Sequence, residues 1–208
     1  MGKVIFRFGP MEAAKSASTV MTAFNFEEHG FNVLVLKSSL DTRWGVNKIT
    51  SRAGGMSREC TNISPSESIV NLIKDKGYDV VIVDECQFLS PSQVEDLARI
   101  ADEEDLTVIC FGLKNTAIKG ELFEGSKALL YWADAIEELK TVCTCCEHKA
   151  TQNLRMKNGI PIYDGDKIVL GDTKAKADVE YYLPVCRKHY FAPDMERITV
   201  KMNKKLGR

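Results

Sequence analysis

The alternation of short apolar runs with segments of helical period is the strongest constraint on the fold of this chain. Apolar runs predict strands at residues 3–8, 31–36, 79–83, 106–112 and 135–139. The segments between them predict helices at residues 13–29, 64–76, 90–102 and 125–132. Strands that alternate with helices form a parallel sheet with right-handed crossovers. We therefore expect an α/β fold with a parallel sheet and helices on both faces.

Two regions do not follow this alternation. Residues 38–63 are polar and have little periodicity, which predicts a long loop. After Thr141 the pattern changes to short polar and β-like pieces, and we place a domain boundary there. The expected organisation is an α/β domain at residues 1–140, a smaller domain at 141–192 and a basic tail at 193–208. We expect the tail to be a solvated or frayed terminus.

The charge balance argues against a nucleic-acid binder that works through bulk charge. The chain has 28 basic and 29 acidic residues, for a net charge of −1. It has no apolar run of about 18 residues, the length that a membrane span requires. The first residues do not have the pattern of a secretory signal peptide. We therefore expect a cytoplasmic protein without nucleic-acid or membrane partners.

A phosphate-binding loop is predicted between the first strand and the first helix. Residues 9–16 read G-P-M-E-A-A-K-S, close to the pattern G-x-x-x-x-G-K-[ST] in that context. Backbone N–H groups of such a loop bind phosphates, with Lys15 on the phosphates and the Ser16 hydroxyl on Mg²⁺. Ala14 replaces the second glycine of the pattern. A β-carbon there costs about 1 kcal/mol if the backbone needs a positive φ.

Two acidic residues, Asp84 and Glu85, follow the third predicted strand. Ligands of open α/β sheets bind at the carboxyl ends of the strands, where these residues lie. Asp84 is then the candidate for holding the Mg²⁺ hydration shell, and Glu85 is the candidate general base. The alternative is a strand that simply ends in polar residues.

A metal site is predicted in the C-terminal third of the chain. Cys143-x-x-Cys146 is followed further along by Cys186-x-x-His189, two short-spaced pairs that suit tetrahedral Zn²⁺. Four protein ligands leave no open position, so the zinc is expected to be structural. The spacing leaves Cys145 as an alternative to Cys146. The remaining cysteines are expected to be small buried apolar residues; they are Cys60, Cys86 and Cys110.

Together these motifs resemble the zinc-containing (type II) thymidine kinase family, over about residues 3–190. The similar segments are the loop at 9–16 (except at Ala13 and Ala14), D-x-R-[YW] at 41–44, D-E-x-Q-F at 84–88, the stretch 120–126, and the ending from Tyr182 to Tyr190. The resemblance implies a RecA-like parallel sheet with helices on both faces and a small zinc-held lasso domain that closes over the nucleoside. The chain departs from the family at 117–120, where Ile118 replaces an aromatic residue, and by an insertion at 172–178.

The resemblance also implies roles for individual residues. Glu85 takes the proton of the 5′-hydroxyl, and Lys15 and Arg43 steady the transferring phosphoryl group. The residues implied to bind ATP and Mg²⁺ are Gly9, Pro10, Met11, Glu12, Ala13, Ala14, Lys15, Ser16, Asp84 and Gln87. Those implied to contact the nucleoside are Met11, Phe88, Ile118 and Tyr182. For Met11 and Phe88, packing in the core is the alternative.

The function implied is ATP-dependent phosphorylation of thymidine or deoxyuridine, giving the nucleoside monophosphate for DNA synthesis. The resemblance further implies a homotetramer and feedback inhibition by dTTP. The alternative is a catalytically weak nucleotide-binding relative, which the departures at Glu12, Ala14 and Ile118 favour. A general phosphate-loop ATPase would not explain Tyr182 or the Cys/His pairs.

Overall fold

The computed structural model of the chain describes residues 2–42, 45, 47–51, 55–166 and 180–205. The chain divides into two compact units. The first comprises Met1–Phe8, Ala14–Lys114 and Phe123–Leu139, and the second comprises Gly9–Ala13, Asn115–Leu122 and Lys140–Arg208. Among the described residues, none of the helices combines the length and hydropathy needed to cross a bilayer.

The described strands and helices of both units, in chain order, have the following bounds. The strands are β1 (Lys3–Phe8), β2 (Val33–Ser38), β3 (Lys48–Thr50), β4 (Ser57–Glu59), β5 (Thr61–Ile63), β6 (Val80–Asp84), β7 (Thr107–Gly112), β8 (Ala135–Glu138), β9 (Gln152–Lys157), β10 (Ile160–Ile162) and β11 (Tyr181–Val185). The helices are α1 (Lys15–Glu28), α2 (Val70–Ile73), α3 (Pro91–Glu103), α4 (Glu124–Trp132), α5 (Arg187–Phe191) and α6 (Met195–Lys205).

Six strands of the first unit form one parallel sheet in the order β5–β2–β6–β7–β1–β8, which confirms the predicted α/β fold class. Successive side chains of a strand point to opposite faces of the sheet. All residues of β6 are buried, so both faces of the sheet are covered at this strand. Val81 and Val83 pack in the core that includes residues of α2, α3 and α4. Val80 and Ile82 pack in a second core, which includes Ala23 of α1.

The predicted helix at 64–76 is wrong over most of its length, because only Val70–Ile73 is helical. Ser64 and Glu67 do form a turn, in which the Glu67 N–H donates to the Ser64 carbonyl oxygen at 3.0 Å. Nε2 of Gln93 in α3 donates to the Ser64 and Glu67 carbonyl oxygens at 2.8 Å each. Both carbonyls therefore accept from a distant side chain, and the turn that begins at Ser64 does not continue as a helix.

The predicted loop at 38–63 is also wrong in part. It contains an antiparallel hairpin of β3 and β4, and then β5, which extends the main sheet beside β2. Each of these strands has three residues, too few for an apolar alternation to be visible in the sequence.

The second unit contains a three-stranded antiparallel sheet in the order β10–β9–β11. Its core includes Leu154 and Leu183 of the sheet together with Ile198 and Met202 of α6. The expectation of a solvated or frayed terminus is therefore wrong over Met195–Lys205. Ile198 and Met202 are four residues apart, so they lie on one face of the helix and bury it despite the basic residues around them.

Candidate functional site

The loop between β1 and α1 has the positive φ at Ala14 that a residue with a β-carbon adopts at a cost. Ala14 has φ 56° and ψ 28°, and Glu12 has φ 64°, so both lie in the left-handed region. The Glu12 side chain is exposed. Helix α1 begins at Lys15 with no side-chain cap and no acidic residue in its first turn. The N–H groups and partial positive charge of a helix N-terminus favour an anion, as the predicted phosphate loop requires.

Asp84 is buried at the carboxyl end of β6. Its burial and the charge of Glu85 raise the pKa of Asp84 to about 7, although the ammonium of Lys15 acts in the opposite direction. The hydroxyl of Thr19 lies 3.4 Å from Oδ1 of Asp84 and 3.1 Å from the carbonyl oxygen of Lys15. Sequence reasoning missed Thr19, whose only signal is a polar residue one helical turn after Lys15.

A buried ion pair joins β2, the strand beside β6, to the residues that follow it. Nζ of Lys37 is 3.4 Å from Oδ2 of Asp41, and both side chains are almost fully buried. Lys37 also donates to the carbonyl oxygens of Gly45 and Lys48, at 3.4 and 3.3 Å. The charge of Asp41 contributes to the raised pKa of Asp84. Arg43, predicted to steady the phosphoryl group, lies outside the described residues, as does Trp44.

Glu85 directly follows β6 and has a strained backbone. Its φ of 54° is in the left-handed region, which non-glycine residues adopt at a cost and which is frequent at functional sites. Nε2 of Gln87 donates to Oε2 of Glu85 at 2.5 Å, and Oε1 of Gln87 accepts from the Leu113 N–H at 3.0 Å. The structure thus places Gln87, predicted to bind the nucleotide, on the carboxylate of Glu85. Gln87 fixes the orientation of the candidate base.

The 3₁₀ turn Cys86–Phe88 is packed closely against α4. A β-carbon at Gly125 would lie 2.7 Å from the carbonyl oxygens of both Cys86 and Leu89. Only glycine allows the helix to approach the turn this closely. The half-buried ring of Phe88 packs edge-to-face on Phe123, with the ring centroids 5.7 Å apart. The stretch 120–126 resembles the kinase family. Through these contacts it helps to position the turn Cys86–Phe88.

The four residues predicted to bind zinc lie together. The ligand atoms of Cys143, Cys146, Cys186 and His189 are all within 4.8 Å of one another. The Sγ atoms of Cys146 and Cys186 are 3.8 Å apart, and Nδ1 of His189 is 3.2 Å from Cys186 Sγ and 3.6 Å from Cys143 Sγ. Tetrahedral zinc with Zn–S distances of about 2.3 Å places sulfur ligands about 3.8 Å apart. The donor set and its spacing therefore fit a structural zinc ion.

Cys145 has a different position from its neighbours. Its backbone N–H donates to Sγ of Cys143 at 3.3 Å, while its own side chain is buried outside the cluster. Burial raises the pKa of the Cys145 thiol to about 11. The carbonyl oxygen of Cys145 accepts from the guanidinium of Arg197 in α6, at 2.8 Å. Of the two thiols that the spacing left open, Cys146 is the one in the cluster.

Three residues predicted to contact a nucleoside belong to the second unit. The Met11 N–H donates to Oδ1 of Asn153 in β9 at 2.8 Å. Tyr182 is buried in β11. Ile118 is half-buried, and its N–H donates to Oγ1 of Thr116 at 3.1 Å. The predicted insertion at 172–178 lies outside the described residues.

Comparison with known proteins gives close relatives along almost the whole chain. The family model described as thymidine kinase matches residues 2–190. A thymidine kinase of Enterococcus faecalis is 45% identical over 195 residues, which cover 93% of this chain and 96% of that protein. A thymidine kinase of Streptococcus gordonii is 44% identical over 198 residues, covering 94% and 99% of the two chains. One of Streptococcus agalactiae is 45% identical over 198 residues, covering 94% and 100%.

Proposed function

The chain belongs to the thymidine kinase family, and from this we propose that it transfers the γ-phosphoryl group of ATP to the 5′-hydroxyl of thymidine. Deoxyuridine is a second acceptor. The products are ADP and the nucleoside monophosphate, which is salvaged for DNA synthesis. The observation that carries the proposal is the carboxylate of Glu85, held by Gln87 beside the buried Asp84. A fixed carboxylate of this kind suits a general base for a hydroxyl group.

In this proposal Glu85 accepts the proton of the 5′-hydroxyl as that oxygen attacks the γ-phosphorus. Lys15 and Arg43 neutralise the charge on the transferring group. Phosphoryl transfer depends mainly on such positioning and charge neutralisation, and little on covalent chemistry by the protein. Ser16 and Asp84 hold Mg²⁺, which supplies further charge neutralisation. Asp84 suits this task, because it is buried at the carboxyl end of β6 and a nearby cation stabilises its ionised form.

The predicted binding residues enter the proposal with the roles that the family implies. The nucleotide is bound by the loop at 9–16 within the nucleotide-binding domain at 1–140, and the nucleoside by Met11, Phe88, Ile118 and Tyr182. The Cys/His cluster holds a structural zinc ion within the domain at 141–192. We also propose a homotetramer, feedback inhibition by dTTP and action in the cytoplasm, where ATP and salvaged nucleosides are found. The exposed Met21 and Phe24 of α1 support association between copies.

The test is phosphoryl transfer from Mg-ATP to a panel of thymidine, deoxyuridine, deoxycytidine and deoxyguanosine. We expect transfer to thymidine and deoxyuridine by the native chain. We expect none by Glu85→Gln, which keeps the hydrogen-bonding shape but cannot accept the proton. ATP binding by this variant should be unchanged, because Glu85 is not assigned to the nucleotide.

The strained backbone at Ala14 favours the alternative of a catalytically weak nucleotide-binding relative. Absence of transfer to every nucleoside by folded, zinc-loaded protein that still binds ATP would support that alternative. Ala14→Gly relieves the strain, so we expect equal or higher activity from it. A clear loss of activity would show that the loop requires alanine.

A further inference from the structure

The loop at 115–122 is held by two tyrosines next to the metal cluster. Tyr190 directly follows the candidate ligand His189 in α5, and its N–H donates to the carbonyl oxygen of Cys186 at 2.9 Å. The Tyr190 hydroxyl donates to the carbonyl oxygen of Ala117 at 3.2 Å, and the side chain is almost fully buried. Tyr190 therefore bonds to a candidate metal-ligand residue through its backbone N–H and to the loop through its side-chain hydroxyl.

The second tyrosine, Tyr163, completes the attachment. Its carbonyl oxygen accepts from the Lys119 N–H at 3.2 Å, and its hydroxyl donates to the carbonyl oxygen of Tyr190 at 2.8 Å. The two tyrosine rings pack edge-to-face with centroids 5.3 Å apart. The ammonium of Lys119 lies 5.4 Å from the ring centroid of Phe191, the residue after Tyr190.

These contacts hold the loop on both sides of Ile118. Ala117 and Lys119 are its immediate neighbours, and each is hydrogen-bonded to one of the tyrosines. Ile118 is also where the chain departs from the aromatic residue of the family. A smaller side chain has to be placed accurately to contact the same ligand, because dispersion contacts weaken rapidly with distance.

We propose that Tyr190 is a positioning residue that couples the Cys/His cluster to the nucleoside site through the Ala117 carbonyl. This inference rests on the proposed function, in which Ile118 contacts the nucleoside. Tyr190 sets the affinity for thymidine without touching it. The metal site thereby has a role in substrate binding besides its role in folding.

The first test compares Tyr190→Phe with Tyr163→Phe in the zinc-loaded chain. Both variants lose the hydroxyl of one of the two packed tyrosines. Only Tyr190→Phe thereby loses a hydrogen bond to the loop at 115–122. We expect Tyr190→Phe to raise the KM for thymidine about fivefold, the equivalent of one net hydrogen bond. Its kcat, its KM for ATP and its zinc content should stay within about twofold of the native values. An unchanged KM for thymidine, or an equal rise in Tyr163→Phe, would overturn the proposal.

The second test does not depend on activity. Zinc is removed from the native chain with a chelator, and amide hydrogen exchange is followed by mass spectrometry. We expect the amides of Lys119 and Glu121 to lose protection at the same rate as those of α5, while those of β6 keep it. Retained protection at the loop after α5 has opened would overturn the coupling. Failure of the proposed function gives a different result. In that case the native chain itself phosphorylates no nucleoside.

Discussion

The backbone N–H of Met11 donates to Oδ1 of Asn153 at 2.8 Å, although 142 residues separate the two in sequence. The bond is buried, and it attaches the first half of the phosphate loop to the central strand of the three-stranded sheet. The bond therefore fixes the first half of the loop to a side chain of β9.

Asn153→Ala removes the acceptor of this bond and leaves the Met11 N–H buried without its partner. Such a loss costs about 1–3 kcal/mol, and for a chain of this size Tm falls by about 2–4 °C per kcal/mol. We expect a lower Tm and a higher KM for ATP. Asn203→Ala, at an exposed position of α6, is the control. Equal Tm values for the two variants would contradict this role of Asn153.

Asp84→Asn should stabilise the metal-free chain while removing its activity. The pKa of Asp84 in the fold is about 7, above its ordinary value of 3.8, so the folded state holds the proton more tightly than the unfolded state. The native chain therefore loses stability as the pH rises from about 4 to 7. Asparagine removes this loss and still accepts from Thr19.

The measurement for Asp84 is thermal unfolding of both chains in a chelator, at pH 4.5 and pH 8. We expect the Tm of Asp84→Asn to exceed that of the native chain at pH 8, and the difference to shrink at pH 4.5. A variant that is less stable at pH 8 would contradict the raised pKa.

Gly125→Ala should lower kcat more than it affects ATP binding. The new β-carbon would displace the backbone of the turn that follows Glu85, and overpacking of this kind costs about 1–3 kcal/mol. A misplaced base reduces the rate steeply, so we expect a fall in kcat of about 10-fold or more. Lys127→Ala, at an exposed position of the same helix, should leave kcat unchanged. Comparable kcat values for both variants would remove the turn from the mechanism.

Cys146→Ser should lose zinc, whereas Cys145→Ser should keep it. Cys146 belongs to the cluster of ligand atoms, whereas Cys145 does not belong to it and donates its backbone N–H to Sγ of Cys143. The measurement is zinc per chain together with Tm. A full zinc load in Cys146→Ser would contradict the ligand set, and so would a full load with normal stability in Cys186→Ser.

Glu180→Gln should destabilise the chain at neutral pH but not in acid. Burial alone would raise the pKa of the Glu180 carboxyl, but hydrogen bonds from Arg155 and Lys157 outweigh it and lower that pKa below 4.5. A lowered pKa contributes stability above the ordinary value, and this contribution is lost as the pH falls through the lowered one. We therefore expect the Tm difference between native chain and variant to be largest near pH 7. A difference that is constant down to pH 3 would refute this assignment.

Local sequence signals predicted the parts of the fold that depend on local structure. The apolar run 3–8 is β1 to the residue, and the helix predicted at 90–102 is α3, Pro91–Glu103. The helix at 64–76 was predicted wrongly over most of its length, and the Ser64 and Glu67 carbonyl oxygens accept from Gln93, a partner that local sequence signals do not reveal. The motifs gave the catalytic and metal-binding candidates. They did not give Asn153 or Tyr190, because the signal for each is a partner more than 70 residues away.

The second unit is built from three separate stretches of chain, and it cannot be exchanged as a cassette. Residues 140–205 transplanted into another protein would leave Asn153 without its donor from Met11 and the Tyr190 hydroxyl without the Ala117 carbonyl. Recombination between relatives within this region should succeed only when the three stretches come from the same parent. Surviving chimeras would then have crossovers that keep residues 9–13 and 115–122 with their own sheet.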